Sequence, residues 1–186
     1  VGHRLGRPVS AAFEDVWSRS EDGLQLHARL YGAVTGRPPV VCLPGLTRNA
    51  SEFDRLAGLL VAAGQGPVLA VDYRGRGSSD RDPDPGRYTV PVETADLLAL
   101  LAELDIATAR FVGVSRGGLI TMGLAALRPD LVRAAVLVDI GPVVELAGLL
   151  RIKGYIGTFG QPADRDTAAA LLARVINRPL RQLSIA

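Results

Sequence analysis

The part of the sequence whose residue types and spacing could carry chemistry is the pentad Gly113-Val114-Ser115-Arg116-Gly117. Strand-forming residues precede it and a helix-compatible run follows at once, which predicts a strand, a sharp turn at Ser115 and a helix. Such a turn brings the residues two before and two after the serine so close that only small side chains fit, and both are glycine. The hydroxyl would then stand at the strand end beside unpaired helix N–H groups, placed to attack an electrophile. A serine that only caps a glycine-rich turn is the alternative interpretation.

The overall composition is that of a globular protein with one core, since 48% of the 186 residues are hydrophobic and 22% are charged. The formal net charge is +2, and this small, scattered excess argues against a nucleic-acid partner. No window approaches the apolar length that a membrane span requires, so no membrane partner is expected. Residues 1–10 lack an apolar stretch after their basic residues, so no signal peptide is predicted there.

The cysteine and glycine patterns argue against disulfides and cofactors. Cys42 is the single cysteine, so no internal disulfide can form, and a reducing, cytoplasmic location fits. Because it lies in an apolar run, Cys42 is interpreted as a core residue. The pair Gly75-x-Gly77 does not make a dinucleotide fingerprint, because Asp80 occupies the third glycine position. No cofactor and no metal site is predicted.

Short apolar runs that alternate with amphipathic segments predict the fold class. The runs are typical of strands covered on both faces, and together they predict an α/β fold with a mostly parallel sheet and helices on both faces. Ahead of them, Phe13 to Ser18 and Leu24 to Tyr31 predict a hairpin of antiparallel edge strands, with His27 as a surface or half-buried residue. The expected buried strands are Pro39–Leu43, Pro67–Asp72, Arg110–Val114 and Arg133–Val138. The first expected helix begins at about Ser51, which would cap it, the second has Pro91 in its first turn, and the third runs from Arg116 to Leu127.

Four residues follow the ends of the predicted parallel strands: Leu46, Asp72, Ser115 and Asp139. Ligands bind at the carboxyl ends of strands in such sheets, so these positions predict one shared site. Beyond Pro142 the alternation stops, and two further helices are expected within residues 143–176. The basic, weakly patterned residues 177–186 are expected to form a frayed tail.

Three motifs in order give the sequence a family resemblance. Leu43-Pro44-Gly45-Leu46 follows the third strand, Asp72-Tyr73-Arg74-Gly75-Arg76-Gly77-Ser78-Ser79 the fourth, and the Ser115 pentad the fifth. From Val40 to about Ile176 the chain resembles the α/β-hydrolase superfamily, in its serine hydrolase branch. The resemblance implies the N-terminal part of that fold, with a core over 1–142, a partial helical lid over 143–176 and a tail over 177–186. The family's last two strands are absent, so the sequence is expected to be truncated within the lid.

The resemblance also implies roles for individual residues. Ser115 corresponds to the nucleophile, and the backbone N–H groups of Leu46 and Arg116 to the oxyanion hole. Pro44 stands where many members have histidine, which leaves the backbone donor of Leu46 in place. The implied reaction is hydrolysis of a small, apolar ester, or of a related acyl or carbon–carbon bond, through an acyl-enzyme at Ser115.

The base that a serine nucleophile needs is missing from the expected place. In the family the order is serine, acid, histidine, yet His3 and His27 both precede Ser115 and no histidine follows it. Asp139 is a candidate acid, but an aspartate at a strand end also serves as a cap for the next segment. Three explanations stay open: a fragment of a full hydrolase, half of a split enzyme, or a non-catalytic binding module. In each, weak or no turnover is expected from this chain alone, and the unpaired sixth strand is expected to favour self-association or a partner chain.

Overall fold

A computed structural model describes residues 12–157, 160 and 162–176. The expected tail and His3 lie outside these residues. The strands are β1 Phe13–Arg19, β2 Gln25–Tyr31, β3 Val40–Leu43, β4 Val68–Val71, β5 Ala109–Val114 and β6 Val132–Val138. The α-helices are α1 Asp54–Ala62, α2 Val90–Glu103, α3 Arg116–Leu127, α4 Leu146–Tyr155 and α5 Arg165–Ile176, and short 3₁₀ turns span Ala50–Phe53 and Pro85–Arg87.

The six strands form one sheet in the order β1-β2-β4-β3-β5-β6. The pairs β1/β2 and β2/β4 are antiparallel, whereas β4/β3, β3/β5 and β5/β6 are parallel. The prediction of an α/β fold with a mostly parallel sheet is therefore confirmed. The carboxyl ends of β3, β4, β5 and β6 lie at the same end of the sheet. This arrangement is the one on which the prediction of a shared site after these strands depends.

The two faces of the sheet are covered by different helices, because strand side chains alternate between faces. On one face, Val41 and Leu43 of β3 belong to a buried cluster with Leu97 of α2 and Ile120 of α3. On the other face, Cys42 joins a second cluster that includes Phe53 and Ala57. Cys42 is thus a core residue, and burial raises the pKa of its thiol to about 12.

Strand β6 was expected to be buried, and that expectation is wrong. Its residues from Arg133 to Val138 are exposed, and Val136 keeps 57% of its surface accessible. The reason is topological: β6 is the last strand of the sheet, and within the part of the chain that the structure describes only β5 pairs with it. Among the described residues, the outer side of the sixth strand is therefore unpaired and apolar, as predicted.

Two local predictions also need correction. Strand β2 is not an edge strand, because it pairs with β1 on one side and β4 on the other, and most of its residues are buried or half-buried. Asn49, not Ser51, caps the start of the segment before α1, since its side-chain oxygen accepts the N–H of Ser51 at 3.0 Å.

The described residues divide into two compact units at the junction between Pro142 and Val143. The second unit contains α4 and α5, which lie within residues 143–176, where two helices are predicted. Several apolar side chains of this unit are exposed, among them Leu146 and Leu150. None of the helices in the described part of the chain combines the length and the apolar character that crossing a membrane requires.

Candidate active site

Ser115 lies at the turn between β5 and α3 with a strained backbone. Its φ of 49° and ψ of −107° fall outside the regions that non-glycine residues ordinarily adopt. The backbone N–H of Ser115 donates to the carbonyl of Val138 at 2.8 Å, which ties the turn to the end of β6. The side chain is half-buried, so the hydroxyl stands at the carboxyl edge of the sheet rather than in the core.

The glycines around Ser115 are required by close backbone approach. A Cβ atom at Gly113 would lie 2.5 Å from the carbonyl oxygen of Gly117. A Cβ at Gly117 would overlap the backbone carbonyl of Leu43, and one at Gly118 would overlap the side chain of Ile140. The tight approach predicted from the pentad is confirmed, and it extends one residue further than the pentad itself.

Two backbone N–H groups near Ser115 have no hydrogen-bond acceptor among the described residues. Arg116 is the first residue of α3, so its N–H has no partner inside the helix. Leu46 lies three residues past Leu43, which pairs in register with Gly113 of the neighbouring strand. The loop of Leu46 therefore emerges beside the Ser115 turn, and its Gly45 would place a Cβ 3.9 Å from the carbonyl of Val114.

Asp72 follows β4 and is a buried hydrogen-bond centre, with 3% of its surface exposed. One carboxylate oxygen accepts the N–H of Ala50 at 2.6 Å, and the other accepts the N–H of Ser78 at 3.0 Å. The second oxygen also lies 2.7 Å from Nδ1 of His27. Gly77, with φ of +51°, passes so close that any Cβ there would overlap this carboxylate. Asp72 thus joins β2 and the loops after β3 and β4.

The expectation that His27 is a surface or half-buried residue is wrong. Its side chain is 2% exposed, and its two ring nitrogens contact Asp72 at 2.7 Å and Asp15 at 2.8 Å, while Trp17 packs against the ring. Three strand steps separate β2 from β5, about 14 Å at the usual spacing of strands. His27 is therefore committed to a structural network and cannot reach Ser115, although sequence periodicity alone gave no sign of this burial.

Arg74 forms a second buried network that the sequence did not reveal. Its guanidinium is 1% exposed and contacts Asp96 at 2.7 Å, Asp82 at 2.5 Å and Asp22 at 3.0 Å. These carboxylates come from α2, from the loop after β4 and from the β1–β2 turn. Asp82 lies in a loop rich in charged residues, yet it is buried because it pairs with Arg74.

The side chain of Arg116, the first residue of α3, is held by residues at and just before the start of α2. Its Nε lies 2.5 Å from the carboxylate of Glu93, and its Nη2 donates to the carbonyl of Tyr88 at 3.0 Å. Burial raises the pKa of Glu93, and the hydrogen bond from Arg116 opposes that rise. The residue next to Ser115 is therefore fixed both by its helix and by its side chain.

Asp139 follows β6 directly and lies near Ser115 along the sheet edge, because Val138 pairs in register with Val114. It is exposed and has a left-handed backbone with φ of 57°. No described residue donates a hydrogen bond to its carboxylate. The described residues therefore contain neither a histidine that Asp139 would orient nor a backbone N–H that it would cap. All five of the residues predicted at the site lie at the carboxyl ends of the parallel strands: Leu46, Asp72, Ser115, Arg116 and Asp139.

Comparison with known proteins places this geometry in context. A family model described as the alpha/beta hydrolase fold matches residues 38–183. An α/β-hydrolase structure from Novosphingobium aromaticivorans is 47% identical and superposes with a TM-score of 0.81, covering 88% of this chain and 57% of that one.

Two relatives with assigned activities are also similar to the chain. A 3-hydroxybutyrate-oligomer hydrolase of Cupriavidus necator is 39% identical over 63% of this chain and 40% of its own length. An sn-1-specific diacylglycerol lipase of Xenopus laevis is 38% identical over 83% of this chain and 49% of its own length. The chain therefore spans about half the length of these relatives or less.

Proposed function

The chain belongs to the alpha/beta hydrolase fold family, and on this premise we propose that it carries the nucleophile and oxyanion hole of a serine hydrolase. The observation that carries the proposal is the strained backbone of Ser115 at a strand–helix turn, beside two N–H groups without acceptors in the described structure. Strain of this kind persists only where the surroundings fix it, and the close approach of Gly117 to the backbone of Leu43, which leaves no room for a Cβ, provides that constraint.

The reaction would proceed as an acyl transfer. The Ser115 hydroxyl loses its proton to a base while its oxygen attacks the carbonyl carbon of an ester, and the carbonyl oxygen becomes an oxyanion. The N–H groups of Leu46 and Arg116 donate to that oxyanion, and losing one such donor typically costs about 10²–10³ in turnover. The intermediate then collapses and breaks the bond to the alcohol oxygen, which takes the proton from the protonated base. The base next removes a proton from water, the resulting hydroxide attacks the acyl-enzyme, and the acid leaves as the base returns the proton to the oxygen of Ser115.

We propose that the base is a histidine supplied by polypeptide outside these 186 residues, which pairs with the outer edge of β6. That edge carries exposed apolar side chains, including Val136 and Val138, on a strand with an unpaired side in the described structure. Asp139 follows the same strand, and its carboxylate would orient an imidazole that arrives there. A capping role for Asp139 remains the competing interpretation.

We propose an aliphatic ester of a small apolar acid as the substrate, without a cofactor. The relatives named above are a hydrolase of 3-hydroxybutyrate oligomers and a diacylglycerol lipase, and both names describe ester bonds. These names favour ester cleavage over cleavage of a carbon–carbon bond. A cytoplasmic site of action is part of the same proposal, supported by the free and buried Cys42.

An electrophilic serine probe tests the nucleophile. In the full-length protein that contains this chain, a fluorophosphonate should label the wild type and the Ser51→Ala control, whose replaced serine is exposed near α1. It should not label Ser115→Ala. Equal labelling of Ser115→Ala and wild type would remove Ser115 from the mechanism.

The same probe separates hydrolase from binding module. The 186-residue chain alone should show weak or no turnover, since triad knockouts keep only about 10³–10⁴ over the rate in water. Strong ester hydrolysis by this chain, abolished by Ser115→Ala, would contradict the need for an outside histidine. Ligand binding that survives Ser115→Ala without any labelling would favour the binding module.

A further inference from the structure

The loop that carries Leu46 is held at both ends by residues of the loop after β4. At its far end, the carboxylate of Asp72 accepts the N–H of Ala50 at 2.6 Å. At its near end, Nε of Arg76 donates to the carbonyl of Leu46 at 2.9 Å. Both contacts join the same pair of loops, so the two loops form one unit at the edge of the sheet.

The contacts fix both peptide groups that flank Leu46. The carbonyl of Gly45, which shares a peptide plane with the Leu46 N–H, accepts the N–H of Arg48 at 3.0 Å. The next carbonyl, that of Leu46 itself, is the one bonded to Arg76. With both carbonyls occupied, the plane of the Leu46 N–H cannot rotate without breaking a hydrogen bond.

Arg76 is itself held in place. Its Nη1 donates to the carbonyl of Gly75 at 3.1 Å, so the guanidinium bridges its own loop and the Leu46 loop. The guanidinium of Arg76 also lowers the pKa of the nearby carboxyl of Glu93, against the upward effect of burial. A planar fork with fixed donors suits such a bridge, whereas the single flexible ammonium of lysine does not reproduce it.

We propose that Arg76 is a positioning residue for the oxyanion hole, which holds the Leu46 N–H toward the reacting oxygen while Asp72 anchors the same loop at Ala50. This inference deepens the proposed function and rests on it. Positioning of this kind affects the transition state more than the bound ester, because the oxyanion forms only during the reaction.

The test compares Arg76→Gln with Arg81→Gln in the full-length protein, using an aliphatic p-nitrophenyl ester. Arg81 is an exposed arginine in the same loop, so its loss removes the same charge without touching Leu46. Arg76→Gln should lower kcat by about tenfold or more with little change in KM. This loss of kcat is smaller than the loss expected when an oxyanion-hole donor is removed altogether. Affinity for an aliphatic trifluoromethyl ketone, which forms a tetrahedral oxyanion, should fall by a similar factor. Arg76→Lys should restore little of the loss.

A second measurement reports on the loop without relying on turnover. Amide hydrogen exchange over residues 44–50 should become faster in Arg76→Gln and stay unchanged in Arg81→Gln. Equal kcat values for Arg76→Gln and wild type, or equal losses in both variants, would overturn the inference. Unchanged exchange over 44–50 would overturn it even in an inactive protein. A wild type with no Ser115-dependent hydrolysis but faster exchange in Arg76→Gln would instead refute the proposed function, and the positioning role of Arg76 with it.

Discussion

The two edges of the sheet are held in opposite ways. At one edge, the β1–β2 hairpin is tied down by contacts to buried side chains: the exposed Asp15 contacts the buried His27 across the two strands, and Asp22 at the turn contacts the buried Arg74. At the other edge, β6 exposes apolar side chains, and none of the ion pairs found in the described residues involves it. Among the described residues, ion pairs join the first edge to the rest of the fold, whereas β6 takes part in none and leaves its outer side unpaired.

The buried charge networks and the proposed catalytic residues lie in different parts of the sheet. The buried networks connect β1, β2, α2 and the loop after β4, all on the side of the sheet away from β6. The proposed nucleophile and the candidate acid lie on the β5–β6 side, where the sheet is open. The histidine proposed above would therefore approach the site from the side on which β6 is unpaired in the described structure.

Removal of Arg74 should have the largest effect. Arg74→Leu leaves the carboxylates of Asp22, Asp82 and Asp96 without their shared cation, two of them largely buried. Loss of one partner from a buried ion pair typically costs about 3–5 kcal/mol, so urea unfolding should show a loss of that size. Arg128→Leu, which breaks the exposed pair with Asp130 at 2.8 Å, is the control and should cost nothing measurable. Equal losses would mean that the Arg74 network contributes no more than a surface pair.

A leucine-to-alanine substitution should lower the free energy of unfolding more in the buried strand β4 than in the exposed strand β6. Leu69→Ala in β4 removes a fully buried side chain and should cost about 2–5 kcal/mol. Leu137→Ala in β6, where the side chain is 37% exposed, should cost about 1 kcal/mol or less in the 186-residue chain. In the full-length protein the cost of Leu137→Ala should rise toward the buried range if another strand covers β6. A small cost in both forms would contradict that coverage.

The Asp22 carboxyl should make the hairpin edge sensitive to acid. Hydrogen bonds from Arg74 lower the pKa of Asp22 from 3.8 to about 2. The unfolded chain therefore binds the proton more tightly, so this contribution to stability is present above about pH 4 and is lost as the pH falls toward 2. After allowance for solvent screening it is about 1 kcal/mol. In urea unfolding, the gap between wild type and Asp22→Asn should shrink between pH 5 and pH 2. A constant gap would show that Asp22 is not held by Arg74.

The β6 edge should change association with little change in stability. Val136→Lys places a charge on the exposed face of β6 and should alter the free energy of unfolding by about 0.5 kcal/mol or less. Sedimentation of the 186-residue chain should then show less self-association. Val34→Lys, at a position 79% exposed outside the sheet, is the matched control and should leave association unchanged. If both lysines have the same effect, general charge and not the strand edge governs association.

Local patterns in the sequence were enough to predict most elements and the Ser115 turn. Helix α3 spans Arg116–Leu127 as expected, because a glycine-rich turn begins it and Arg128-Pro129 ends it. The tight packing of Gly113 against Gly117 also followed from the pentad alone. These features depend on residues close in sequence, and such interactions can be read from spacing and residue type.

Burial and polar partnership were decided by the tertiary structure. His27, Asp72 and Arg76 lie in segments whose local patterns do not predict the partners that they contact in other segments. The contacts of His27 with Asp72 and Asp15, and of Arg76 with Leu46, join residues 12 to 45 positions apart along the chain. The exposure of β6 has the same origin, since its apolar sequence matches that of a covered strand and only its place at the end of the sheet sets it apart. The sequence by itself determined which chemistry the turn at Ser115 could perform. Tertiary structure determined which charges are buried and which side of β6 stays unpaired in the described structure, because burial depends on neighbours that the sheet order brings together.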